Sequence, residues 1–211
     1  LRKKNIFDHF DQYVKNHISP DDKILDYGCG PGTFSIKMSK MTKNIVCGVD
    51  ISDNFIKECK RLKKKLNLKN FLPSAISPGS LPFKDNTFDK ILLFHVIHHL
   101  EDIEKNFKEI NRVLKKNGKI IIYEPNKLNP LIALIHLIDP IERGLLSLGT
   151  KKKYIKIFNK FNLRCIDFRF SGIIVGPNSK ILNIISLILN IKYMSKLFGW
   201  LNPNLILVAK K

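Results

Sequence analysis

Residues 24–32 read ILDYGCGPG, an apolar run that ends in an acid and breaks into a glycine-rich turn. The segment that follows, 33–38, has the composition of a helix start. A strand, a glycine turn and a helix in this order form a nucleotide-cofactor site at the carboxyl edge of a parallel sheet. The glycines let the main chain turn sharply and approach a ligand without a Cβ clash. This stretch therefore predicts an α/β fold with a cofactor-binding turn.

The spacing of the glycines separates two kinds of cofactor site. Gly28, Gly30 and Gly32 form the pattern G-x-G-x-G. The dinucleotide-binding pattern needs its third glycine one position later, where Thr33 stands. The turn therefore departs from the dinucleotide fingerprint, and the acids around it must indicate whether a nucleotide cofactor binds here.

Two acids accompany the turn, Asp26 just before it and Asp50 at the end of the next apolar run. A carboxylate about 20 residues beyond a glycine turn can accept hydrogen bonds from both ribose hydroxyls of a nucleotide. The alternative is that Asp50 serves only the start of the following helix, a position that Ser52 or Asp53 already suits. The pairing of the acid with the turn favours ribose binding.

Four stretches resemble, in order, the motifs of the class I S-adenosylmethionine-dependent methyltransferases. They are LDYGCGPG at 25–32, GVDIS at 48–52, LPFKDNTFDKILLFHVIHHL at 81–100 and LKKNGKIIIYEP at 114–125. The resemblance is to the subgroup that methylates small molecules, lipids and quinones. It covers residues 20–126 well and the last strand, 204–209, loosely. It implies S-adenosyl-L-methionine as the cofactor and methyl transfer to a small, lipophilic acceptor by in-line displacement.

The resemblance also implies which residues contact the cofactor. At one of them the sequence departs from the family, which often has an acid that contacts the adenine amino group where Ser77 stands here. A serine still offers a hydrogen-bond acceptor, so we expect weaker cofactor binding. No paired metal-ligand spacing is present, and no metal ion is expected. The expected cofactor contacts are Asp26, Gly28, Cys29, Gly30, Gly32, Asp50, Ile51, Ser77 and Phe94.

Three histidines follow the fourth predicted strand, His95, His98 and His99. The sulfonium is already a good leaving group, so a base is needed only where the acceptor must lose a proton. Histidine titrates near neutrality, and these three are the candidate catalytic residues, His95 foremost. The alternative is that they pack the loop or bond its main chain. Glu124, at the end of the fifth strand, could bind the acceptor, orient a histidine or cap a helix.

The remaining pattern predicts alternating strands and helices and hence a doubly wound sheet with right-handed crossovers. The resemblance implies a mostly parallel, seven-stranded, Rossmann-like sheet with an antiparallel last strand. We predict one domain, 1–211, with a cofactor-binding core at 20–126 and helical acceptor-side insertions at 127–201. Strands are predicted at 23–27, 45–50, 71–75, 88–94, 119–123, 163–170 and 204–209, and helices at 6–18, 52–66, 101–114 and 153–161.

Two apolar helical stretches, 128–148 and 178–201, are shorter than the roughly 20 uninterrupted apolar residues that a membrane span requires. We expect them to form a partly mobile cover over the carboxyl edge of the sheet. They suit a lipophilic acceptor or peripheral contact with a membrane, aided by Lys180, Lys192 and Lys196. The alternative is ordinary packing on the sheet.

The net charge of +19 favours anionic partners, but the lysines are spread along the chain. Neither an arginine-rich tract nor an interleaved aromatic platform accompanies them, so nucleic acid is not the expected partner. An RNA methyltransferase stays as an alternative, as does a cofactor-binding protein without turnover. The four cysteines suit a reducing compartment, and we expect a cytoplasmic protein that can associate peripherally with a membrane.

Overall fold

The computed structural model describes residues 13–138, 144–171 and 198–211. Within these ranges the chain forms one seven-stranded sheet and six α-helices, with 3-10 turns at Ile97–His99 and Gly199–Leu201. The strands are β1 (Ile24–Tyr27), β2 (Val46–Asp50), β3 (Phe71–Ala75), β4 (Phe88–Phe94), β5 (Leu114–Pro125), β6 (Arg164–Ser171) and β7 (Asn204–Lys210). The helices are α1 (Thr33–Ser39), α2 (Asp53–Lys65), α3 (Ile103–Val113), α4 (Pro130–Ile138), α5 (Gly144–Ser147) and α6 (Lys151–Lys160).

The strands lie in the order β3-β2-β1-β4-β5-β7-β6. The pairs from β3 to β5 are parallel, whereas β7 runs antiparallel to both β5 and β6. The predicted mostly parallel sheet with an antiparallel last strand is confirmed. The strand order reverses between β1 and β4, and open α/β sheets hold their ligands beyond the carboxyl ends of the strands at such a point.

Apolar side chains fill both faces of the central strands. On β1, Leu25 and Ile24 point to opposite faces because successive side chains of a strand alternate. The face with Leu25 packs against α3 and α6 through Phe107 and Phe158, and the face with Ile24 packs against α2 through Ile56. Strands buried on both faces account for the nearly continuous apolar runs of the sequence.

The junction of α3 and β5 differs from the prediction. The sequence predicted a helix over 101–114 that Asn117 and Gly118 end, and a strand from residue 119. Instead α3 ends at Val113 and β5 begins at Leu114. Leu114 pairs with Phe88, after which the register shifts, and Asn117 adopts a positive φ of 67°. Asparagine tolerates this conformation, so the Asn-Gly pair forms an irregularity within the strand.

Two predicted helices fall mostly outside the described residues. Of the helix predicted at 6–18, residues 13–15 are helical. Of the stretch predicted at 178–201, only 198–201 are described, and they carry a 3-10 turn. The lysines at 180, 192 and 196 also lie outside the described part of the chain.

Candidate active site

A cleft of about 820 Å³ opens at the carboxyl edge of β1, β2 and β4, where the strand order reverses. The glycine turn after β1 forms one wall, and the loop after β4 and the start of α3 form the other. Among the described residues that line it, four are carboxylic acids and one is a lysine, so the cleft is acidic although the chain is strongly basic. These five are Asp26, Asp50, Glu101, Asp102 and Lys105.

The glycine turn has three residues with positive φ, Gly28 at 73°, Gly30 at 51° and Gly32 at 82°. A Cβ at Gly28 would lie 2.3 Å from Cγ2 of Val96, so this glycine allows the loop after β4 to pack closely. A Cβ at Gly30 would meet nothing within 4 Å. Gly30 therefore leaves open space in the cleft, as a main chain that receives a ligand requires.

Asp50 ties the end of β2 to this turn. Its Oδ2 accepts a hydrogen bond from the N–H of Gly30 at 2.8 Å, and its Oδ1 accepts one from the N–H of Ser52 at 2.9 Å. Ser52 is the N-cap of α2, where its Oγ accepts from Phe55 N–H at 3.4 Å. Because each carboxylate oxygen has two lone pairs, Asp50 can accept further hydrogen bonds from a ligand.

The second acid, Asp26, is buried beneath the turn and also lines the cleft. Its Oδ2 accepts a hydrogen bond from Ser35 Oγ at 2.6 Å. Burial raises the pKa of Asp26 to about 6, Ser35 opposes this rise and the charge of Asp50 adds to it. The cleft therefore contains a buried carboxyl whose pKa lies above its ordinary value.

His95 lies at the cleft wall in an uncommon backbone conformation, with φ at 48°. Its N–H donates to the Tyr123 carbonyl at 2.8 Å, and its Nε2 lies 3.1 Å from Asn204 Oδ1. The imidazole is nearly parallel to the rings of Phe94 and Tyr123, at centroid distances of 4.7 and 5.3 Å. Main chain, side chain and ring contacts thus all fix the position of His95.

His98 does not reach the cleft, although the sequence offered it as a catalytic residue. Its Nδ1 lies 2.5 Å from Glu124 Oε2, and both side chains are buried. The other oxygen of Glu124 accepts the N–H groups of Val96 at 2.8 Å and Ile97 at 2.9 Å. Burial raises the pKa of the Glu124 carboxyl, but the hydrogen bond and charge of His98, with smaller contributions from His95 and Ile97, bring the pKa below its ordinary value. His98 and Glu124 therefore hold the loop that presents His95 and His99.

Most of the predicted site residues meet in the cleft. Those that line it are Asp26, Gly28, Cys29, Gly30, Asp50, Ile51, Phe94, His95 and His99. Three others do not. Gly32 packs under Cys59, whose Sγ would lie 2.8 Å from an added Cβ, and Ser77 is absent from the wall although both of its neighbours line it. His98 is the third.

Apart from Phe94, the aromatic residues of the cleft wall were not predicted from the sequence. Phe34 lies on α1 with its ring centroid 3.8 Å from that of Phe94. Phe55, on α2, also lines the cleft, as does Ile51, and both are exposed, at 46% and 65%. Their positions could have indicated this role, since Phe34 and Phe55 each lie in the first turn of a helix shortly after a predicted site residue, Gly32 and Ile51.

The described part of the apolar stretch 128–148 lies beside the loop after β4 that carries His95, His98 and His99, the histidine loop. His136 of α4 is buried, and its ring centroid is 6.0 Å from that of His98. An added Cβ at Gly144 would lie 1.8 Å from the His98 carbonyl oxygen, so α5 lies directly against the loop. Its role towards the acceptor stays a prediction. Within the described ranges no helix is long and apolar enough to cross a membrane, and no three potential ligands are grouped as a metal site needs.

Comparisons with known proteins match this picture. Residues 25–122 match a family described as methyltransferase domain. The ubiquinone/menaquinone biosynthesis C-methyltransferase UbiE of Rickettsia bellii is 32% identical over 123 residues, which cover 56% of this chain and 50% of that protein. The chain thus spans about half the length of that relative.

Among solved structures, a SAM-dependent methyltransferase from Aquifex aeolicus has a TM-score of 0.67 at 17% identity, with 94% of this chain and 87% of that chain covered. The [4+2]-cyclase SpnF has a TM-score of 0.68 at 16% identity, with 97% and 81% covered. At this identity the likeness shows the fold alone, and the cyclase shows that one fold carries more than one activity.

The fold, the cleft and the matched segment 25–122 agree with what the motifs predicted, a Rossmann-like sheet and a similarity to class I S-adenosylmethionine-dependent methyltransferases. Within that class, its matched segment is similar to the quinone-biosynthesis C-methyltransferases, the small-molecule subgroup named from the motifs. The prediction of S-adenosylmethionine as the cofactor agrees with these matches.

Proposed function

We propose that this protein transfers a methyl group from S-adenosylmethionine to a small, lipophilic, aromatic acceptor. One observation carries the proposal: Asp50 Oδ2 accepts a hydrogen bond from the N–H of Gly30. The open glycine turn and an acid that can accept further hydrogen bonds therefore face the same cleft. The exposed side chains of Ile51 and Phe55 at the rim give a planar base an apolar surface to pack on. The cleft therefore fits a nucleoside with a cationic tail.

When bound, S-adenosylmethionine supplies an electrophilic methyl group and leaves as a neutral thioether. The chain's own residues align the acceptor with that methyl group and exclude water. The acceptor atom forms the new bond to carbon while the sulfur–carbon bond breaks. If the acceptor is an aromatic carbon or a phenol, a proton must also leave, and His95 or His99 can take it at a ring nitrogen.

The walls of the cleft favour an aromatic acceptor. Phe34 and Phe94 line it together with His95, and the ring of Tyr123 stacks on those of Phe94 and His95. Offset or parallel aromatic contacts add to the burial of a ring. The similarity to quinone C-methyltransferases supports a quinol-like ring as the acceptor, with Phe94 and His95 as its contact surface.

The acidic lining of the cleft argues against an RNA acceptor. A polyanion would approach four carboxylic acids and one lysine. We expect RNA fragments to bind weakly and to be released between low and physiological salt, as non-specific phosphate contacts are. A salt-resistant complex with one RNA, together with methyl incorporation into it, would replace the proposal.

The test combines binding and turnover. Calorimetry should show that the chain binds S-adenosylmethionine and not NAD. Labelled donor and a series of phenols and quinols that lack the methyl group should then give a methylated product with one of them, and His95→Asn should slow its formation at least about a hundredfold. Binding without turnover on any aromatic acceptor would favour the alternative of a cofactor-binding protein.

We also propose that the protein works in the cytoplasm and meets its acceptor at a membrane surface. The support is the lipophilic character of the proposed acceptor and the apolar exterior of α4, where Leu131, Leu134 and Leu137 are each more than half exposed.

A further inference from the structure

The helix α4 presents an apolar face to the outside of the protein. Leu131, Leu134 and Ile138 share one face of the helix at i, i+3 and i+7, and they are 53%, 52% and 70% exposed. Leu128 and Leu137 add to this surface. His136 lies buried on the inner side of the same helix. A cluster of exposed apolar side chains of this kind marks an interaction surface rather than ordinary packing.

The main chain of a partly exposed tryptophan lies next to the start of this helix. Trp200 is the one tryptophan of the chain, and it is 42% exposed. Its main chain is tied to the start of α4, because Asn126 Nδ2 donates to the Trp200 carbonyl at 3.0 Å and Asn129 Nδ2 donates to that of Leu201. Phe198, 40% exposed, precedes it. Tryptophan is enriched at membrane–water interfaces, where its ring contacts both the apolar and the polar layer.

Lysines flank the same end of α4. The N–H of Lys127 donates to the Gly149 carbonyl at 3.1 Å, which brings the start of the 127–138 segment next to the start of α6. There Lys151, Lys152 and Lys153 are exposed in succession. An apolar face with an interfacial tryptophan and a border of cations has the chemistry that binds an anionic bilayer.

We propose that this surface, defined as Leu128, Leu131, Leu134, Leu137, Ile138 and Trp200, docks on an anionic lipid bilayer. The inference deepens the proposed function, since it rests on an acceptor that is dissolved in lipid. The inner side of α4 lies against the histidine loop through His136 and His98. Docking would therefore bring the lipid phase to within one helix of the loop that carries His95 and His99.

The single tryptophan makes the proposal testable without knowledge of the acceptor. The full chain is mixed with phosphatidylcholine vesicles that contain or lack phosphatidylglycerol, and Trp200 emission and co-sedimentation are measured. We expect a blue shift and sedimentation with the anionic vesicles. The double variant Leu131→Asp, Leu134→Asp should lose both, with vesicle binding at least about tenfold weaker, because buried apolar area contributes to interfacial binding.

A matched control carries the same two substitutions at exposed leucines elsewhere. Leu66 and Leu72 are 42% and 41% exposed and lie at the β3 side of the sheet. Leu66→Asp with Leu72→Asp should bind vesicles like the wild type. Equal loss in both double variants would overturn the proposal, since overall charge would then explain binding. Circular dichroism confirms that each variant is folded.

Two other occupants would give different results. If a second copy of the chain covers the surface, sedimentation velocity without lipid shows a dimer that the α4 variant dissociates, and the bilayer proposal fails. If residues 172–197 cover it, Trp200 emission does not respond to vesicles, and it fails again. Calorimetry with S-adenosylmethionine runs in parallel. Intact cofactor binding without vesicle binding rejects only the docking surface, and the reverse rejects only the methyl transfer.

Discussion

Glu124 and His98 form a buried pair that joins the carboxyl ends of two neighbouring strands. Glu124 belongs to the end of β5, whereas His98 belongs to the loop after β4, and the Oε2–Nδ1 distance is 2.5 Å. The same carboxylate also accepts the N–H groups of Val96 and Ile97. One acid thus fixes the loop that forms the histidine wall of the cleft.

The first prediction follows from this pair. Glu124→Ala should lower the free energy of unfolding by about 3–5 kcal/mol, because it leaves a buried partner without its counter-charge. Glu104→Ala is the matched control. Glu104 pairs with Lys160, but both side chains are more than half exposed, so the expected loss is below about 1 kcal/mol. Urea unfolding measures both, and equal losses would contradict the role of Glu124.

The pH dependence of the same pair has a definite sign. The pKa of Glu124 in the folded protein lies below its ordinary value of 4.5. Its stabilising contribution is therefore complete above that value and is lost as the pH falls through the lower, folded pKa. The difference in unfolding free energy between wild type and Glu124→Gln should therefore shrink as the pH falls through this acidic range.

The second prediction concerns Asp26, whose effect on the pH dependence of stability is opposite in sign to that of Glu124. Its pKa rises to about 6 in the folded protein, from an ordinary value of 3.8. Between these values the unfolded chain releases its proton first, so stability falls as the pH rises. Asp26→Asn removes this fall, and the variant should gain about 3 kcal/mol relative to wild type between pH values of about 4 and 7. Unfolding curves across that range measure the gain.

A second variant keeps this test sharp. The hydrogen bond from Ser35 lowers the pKa of Asp26, against the larger effect of burial. In Ser35→Ala the pKa of Asp26 should therefore rise further, and the pH-dependent fall in stability should extend to higher pH than in the wild type. If the stability difference between wild type and Asp26→Asn did not change with pH, the pKa of Asp26 would not be raised in the folded protein.

The third prediction concerns cofactor affinity. Asp50→Ala removes the acceptor of the Gly30 N–H and the proposed ribose contact, and Gly30→Val puts a side chain at a φ of 51° within the open part of the cleft. Each should weaken S-adenosylmethionine binding at least about tenfold, or roughly 1.4 kcal/mol. Asp53→Ala removes an equal charge three residues away at an exposed helix start and should bind like the wild type. Unchanged affinity in both site variants would reject the cofactor site.

The cofactor-binding part of the cleft could be predicted from the sequence, because each of its motifs is formed by residues that are close together along the chain. The glycine turn, Asp26 and Asp50 lie at the ends of adjacent parallel strands, so their order along the chain fixes their meeting point. Asn117 shows where such patterns fail. Asn-Gly ends many helices, but here β5 had already begun at Leu114, since pairing with Phe88 outweighs the local preference.

The histidine wall shows a second limit of the sequence. The sequence predicted all three histidines within five positions as candidate catalytic residues, His95 foremost, yet His98 turns inward to Glu124 whereas His95 and His99 line the cleft. Their separation depends on a buried acid 26 residues further along the chain, and on the positive φ of His95. Neither a long-range ion pair nor a backbone conformation of this kind leaves a periodic trace.

The last prediction concerns His95 itself. Asparagine tolerates positive φ, so His95→Asn keeps the backbone conformation while it removes the imidazole. If His95 takes the acceptor proton, the rate of methyl transfer at saturating donor should fall at least about a hundredfold, the usual contribution of a positioned base. Donor affinity should stay within about threefold, because the glycine turn and Asp50 are untouched.

His17→Asn is the matched control, since His17 lies next to Asp167 at a different part of the molecule and should leave the rate unchanged. The wild-type rate should rise with pH as the base loses its proton, and this rise should vanish in His95→Asn. A full rate with the same pH profile in His95→Asn would move the base to His99, which shares the cleft wall and contacts the His98 ring at a centroid distance of 4.0 Å.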